Sequence, residues 1–143
     1  MKTWELNTIL ETGLILAAVG QLCIAILNFS LIRIMGWKDD LARVSLLVRE
    51  VFHIHVLFIS FTLAIFAALT FRFAGEIAAG SEPVYRWIAC AIGAFWAIRA
   101  TLQLTHYSSS HWRGIASRTA VHIILLVVYS GFAAVYFAAA FMK

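Results

Sequence analysis

The sequence predicts an all-α fold, a four-helix bundle that crosses a membrane in up-down topology. Three observations carry this. Of the 143 residues, 63% are hydrophobic and 13% charged, against about a quarter charged in soluble domains. Mean hydropathy is +0.91. Four apolar runs, at about 10–34, 48–71, 84–105 and 119–142, each reach the roughly 20 residues needed to cross a hydrocarbon core. These runs are too long for barrel strands and lack their alternation of polar and apolar residues. One proline and eight glycines leave little room for long irregular segments, so a single domain over 1–143 is expected.

The first run carries Gln21 and Asn28 seven residues apart, on one helical face. It reads as a retained membrane helix, because the N-terminus carries Glu5 and Glu11 and no small-x-small cleavage site follows. Cys23 sits alone in this run, and Cys90 alone in the third. Without Cys-x-x-Cys spacing, neither a thiol redox motif nor a zinc knuckle is indicated.

The connector "GWKDDLAR" leads to the second run, with Asp40 as a candidate cap for a helix starting there. The second run opens on "REVFHIH". Arg49, Glu50 and His53 share a face, continued by Leu57, Ser60, Ala64 and Ala67 or Ala68. Small residues on that face allow close helix approach, so it is expected to look into the bundle. His55 points away, toward headgroups or a partner.

The connector "GEIAAGSEPVYR" leads to the third run. There Arg99, Gln103 and His106 form one stripe, and Ala89, Gly93 and Ala97 form a ridge for another helix or another subunit. After "HYSSSHWRGIASR", the fourth run aligns Thr119, His122, Tyr129 and Tyr136. Serine-rich connectors are common, so "YSSSHW" is read as a loop rather than a nucleophile.

Basic residues in short loops set orientation. Arg33, Lys38, Arg43, Arg49, Arg113 and Arg118 lie on one side, against Lys2, Arg72, Arg86 and Lys143 on the other. The bias places both termini outside a bacterial-type inner membrane. Trp37 and Trp112 on one side, with Trp4, Trp87 and Tyr85 on the other, fit interfacial aromatic belts. The net charge of +4 suits anionic lipid headgroups. No basic tract with interleaved aromatics suggests nucleic acid as a partner.

An up-down bundle brings Asn28, His53, His106 and His122 to one end, with Arg99, Gln103 and Tyr129 deeper on the same side. A charged residue in a span costs about 2.5–3.5 kcal/mol on insertion scales, so it persists through pairing or function. Two classes of function follow. In the first, imidazoles ligate haem b or a single transition-metal ion in a redox or electron-transfer role. His53, His106 and His122 are the candidate ligands, and Glu50 is a ligand or an orienting carboxylate. Arg49 and Arg99, with Arg113 and Arg118, would face haem propionates, and Asn28, Gln103 and Tyr129 support the ligands. Glu50-x-x-His53 has the spacing used in di-iron bundles, but it occurs once where that architecture needs it twice. In the second class the cluster is cofactor-free. It is then a structural network, or a proton or substrate path, in a homo-oligomer or a subunit of a larger membrane complex. No phosphate loop, nucleophile elbow or His-Glu-x-x-His motif marks an enzyme.

Overall fold

The computed structural model describes residues 3–106 and 116–142, without the side chains of Leu31, Ser117 and Arg118. Trp112, Arg113, the serine-rich connector, Lys2 and Lys143, together with the Arg118 side chain, lie outside that description. The protein is all-α and 92% helical, with no strand among the described residues. Helix α1 spans Thr3–Ile34, α2 Lys38–Arg43, α3 Leu46–Ala79, α4 Pro83–Thr105 and α5 Ala116–Phe141. All except the six-residue α2 are long and apolar enough to cross a membrane. This is the four-helix architecture the composition predicts.

Helix ends follow local chemistry. Gly36 and Gly80 adopt left-handed φ of 68° and 55°, which a residue without Cβ does at little cost. At the first, the Gly36 amide donates to the Arg33 carbonyl and the Trp37 amide to that of Ile32. At the second, Gly80 donates to Ile77 and Ser81 to Glu76. Both are Schellman stops that satisfy the last carbonyls of the helix. Pro83 then opens α4, in the first turn where no intrahelical donor is needed.

Three boundaries differ from expectation. Helix α1 begins at Thr3, seven residues before the first apolar run. The second apolar run continues past 71 to Ala79, because Gly75 is tolerated inside the helix and the true stop is Gly80. Phe73 alone leaves helical geometry, with φ −121° and ψ 17°, and kinks α3 there. Asp40 caps nothing. It lies within α2, whose N-cap position is Trp37 without a side-chain bond.

The chain forms two compact units, one of residues 15–72 and the other of residues up to 14 and from 73 onward. In the second unit α4 packs along α5. Trp96 stacks on Tyr129 with centroids 5.2 Å apart and meets Phe132 edge-on at 4.8 Å. Trp96, Tyr129 and Tyr136 are all buried. Near the other end of the pair, the Arg86 Nε donates to the Ala140 carbonyl at 3.0 Å. In the first unit Trp37 meets Phe52 edge-on at 6.2 Å.

The buried hydroxyls of Ser60 and Thr70 bond within their own helix. Ser60 donates to the Val56 carbonyl at 2.9 Å and Thr70 to that of Phe66 at 2.8 Å. That removes the need for water, which the bilayer core does not supply. Outward faces are apolar: Leu16, Phe58, Phe61, Ile98 and Val127 are all exposed.

Candidate functional site

The candidate site residues of the sequence fall in two places. The first is a network between α4 and α5. Gln103 is buried, with 2% of its surface exposed. Its Oε1 accepts from Arg99 Nη1 at 3.0 Å, and its Nε2 lies 2.9 Å from His122 Nδ1. The guanidinium can only donate, so the carboxamide must turn its oxygen to Arg99 and its NH2 to His122. His122 Nδ1 therefore accepts, and the neutral ring carries its proton on Nε2. The Arg99 Cζ also lies 4.8 Å from the Tyr129 ring centroid, a cation–π distance.

The sequence pattern anticipates most of this cluster. Arg99, Gln103, His122 and Tyr129 come together on facing helices. Two residues behave otherwise. His106 is exposed at the C-cap of α4, where its backbone amide donates to the Leu102 carbonyl at 3.0 Å. Thr119 is exposed at the start of α5. Trp96 is the residue the pattern did not single out. It precedes Arg99 by three and Gln103 by seven, so it shares their stripe and could have been found from it. Its Nε1 is buried, with no hydrogen-bond partner among the described residues.

The second place is the end of α1 and the start of α3. His53 Nδ1 lies 2.6 Å from the Arg49 carbonyl oxygen, one turn earlier. A carbonyl only accepts, so Nδ1 holds the proton and Nε2 of the neutral ring keeps its lone pair. His53 lines an open groove of about 260 Å³ with Asn28, Phe29, Ile32, Val56 and Leu57. Expectation and structure part here. His53 and Glu50 are exposed and Arg49 is half-buried, so the upper face of α3 is not interior; His55 is exposed, the direction expected of it. A helical wheel gives direction, but burial also requires a neighbour. The buried residues of α3 begin at Ser60 and continue through Leu63, Ala67 and Thr70 toward its end, and no residue from Leu46 to Ile59 is buried.

The Ala89–Gly93–Ala97 ridge also resolves. A Cβ at Gly93 would stand 3.0 Å and 3.1 Å from two atoms of the Phe137 ring. Ala89 and Gly93 are buried, and the partner facing Gly93 is α5 of the same chain. Among the described residues, no three His, Cys, Asp or Glu side chains gather to hold a metal ion.

The four apolar helices define the class: this is an integral membrane protein of four spanning helices. Comparison of the chain with family models, with curated proteins and with solved structures finds no match.

Proposed function

We propose that the protein is a cofactor-free subunit of a larger membrane assembly, in which the polar cluster fixes α4 against α5. The observation that carries the structural role of the cluster is the relay from Arg99 through Gln103 to His122. Both ends of the buried carboxamide are used inside the helix pair. The lone pair of His122 Nδ1 is used as well, and its Nε2 is protonated when the ring is neutral. A metal ligand needs a free imidazole lone pair, so this arrangement favours a structural role for His122. By the basic-residue bias, both termini lie outside a bacterial-type inner membrane.

The test is an absorption spectrum, oxidised and reduced, with elemental analysis and native mass spectrometry on protein extracted gently from its own membrane. A colourless, metal-free sample carrying stoichiometric partner subunits supports the proposal. Haem bands or near-stoichiometric metal would overturn it.

A second reading, ligation of haem b or one transition-metal ion, has one observation in its favour. His53 donates through Nδ1 to a backbone carbonyl, the bond that orients metal-ligating histidines and leaves Nε2 to the metal. In this reading His53 is the first ligand, and the others come from Glu50 or from another chain. Loss of colour or metal in His53→Ala, and its retention in His122→Ala, is the expected pattern.

A further inference from the structure

The groove beside His53 shares no residue with the α4–α5 network, and its chemistry points to a ligand. Its walls are Phe29, Ile32, Val56 and Leu57, and its polar groups are His53 and Asn28. His53 lies seven residues into α3, and Asn28 six residues before the end of α1. At 1.5 Å per residue both sit about 10 Å inside their helix ends. Arg33 and Arg49, nearer those ends, mark headgroup depth. The groove therefore opens near the boundary between headgroups and hydrocarbon.

Two features select the occupant. The Nε2 of neutral His53 accepts a hydrogen bond, so the ligand must bring a donor. At about 260 Å³, the space falls just below the roughly 300–1,000 Å³ of drug-sized pockets. It suits one ring rather than a macrocycle. Apolar walls with an aromatic face favour a flat ring, and a phenolic O–H is a stronger donor than an alcohol.

We propose that this groove binds the head of a lipid-soluble hydroxyaromatic, a phenol or hydroquinone, whose ring hydroxyl donates to Nε2 of His53. The Asn28 carboxamide meets the polar edge of the ring, and Phe29, Ile32, Val56 and Leu57 hold its faces. Any tail leaves through the open side into lipid.

The test uses the full chain in lipid nanodiscs under nitrogen, with durohydroquinone and its dimethyl ether as probes. Binding is followed through the proton resonances of the probe, a readout the variants share. Saturable binding of the hydroquinone is expected, with the ether about three- to tenfold weaker, the worth of one hydrogen bond. His53→Ala should lose about the same factor, and His53→Gln, whose Oε1 can replace the accepting nitrogen, should recover part of it. His53 is exposed, so both variants should melt with the wild type. Equal binding of the ether, or equal binding by His53→Ala, would overturn the proposal. Displacement of the probe by phosphatidylglycerol would overturn it too, by assigning the groove to a headgroup hydroxyl. Haem or metal lost with His53 would assign Nε2 to a metal instead.

Discussion

Gln103 and His122, nineteen residues apart in sequence, are joined at 2.9 Å across the α4–α5 seam. Arg99 fixes which end of the carboxamide faces the ring, and so which nitrogen of the ring carries the proton. An arginine thereby sets the tautomer of a histidine it need not touch.

Gln103→Leu keeps the volume and removes both bonds. Arg99 and His122 then lose a partner, and the cost should be about 1–3 kcal/mol. Thermal unfolding in detergent reads it. A melting curve identical to wild type would show that the network contributes nothing to packing.

The two histidines should differ in solution. Nitrogen NMR of the neutral rings should place the proton of His53 on Nδ1 and that of His122 on Nε2. In Gln103→Leu only His122 should change. Matching tautomers in the wild-type protein would contradict the relay.

Gly93→Leu should destabilise by overpacking, typically about 1–3 kcal/mol, because even its Cβ meets the Phe137 ring at 3.0 Å. Oligomeric state, measured by native mass spectrometry, should be unchanged in the folded fraction. A variant that folds normally but loses its oligomer would return the ridge to an intersubunit role.

Trp96 separates two contributions. Trp96→Ala removes the stack on Tyr129 and should cost about 3–5 kcal/mol. Trp96→Phe keeps an aromatic ring and deletes an N–H that is buried without a hydrogen-bond partner among the described residues, so it should cost far less. Equal losses in thermal unfolding would mean that the indole N–H is the group that matters.

The spans were legible because a bilayer demands long apolar runs, and little else in a sequence resembles them. The α4–α5 cluster was legible because its residues repeat at helical spacing on both helices. The upper part of α3 was not. Arg49, Glu50 and His53 lie on one face as their spacing requires, yet among the described residues α1 only partly covers it, leaving an open groove beside His53, and periodicity carries no information about neighbours. The end of α3 was misread for a related reason. Gly75 and Gly80 look alike in sequence, and only Gly80 adopts the left-handed turn. The tautomers of His53 and His122 follow from partners that spacing cannot supply.

The α4–α5 contacts step outward from the connection between the two helices. Gln103 meets His122, then Trp96 meets Tyr129, and last Arg86 reaches Ala140, fifty-four residues away. Each contact shortens the loop that the next must close. The pair is thus built like a zipper whose first tooth is a hydrogen bond and whose last is a guanidinium clamp on a helix end. During synthesis the final two spans can leave the translocation machinery as one registered hairpin, with Arg99 and His122 already linked through Gln103 as they enter lipid.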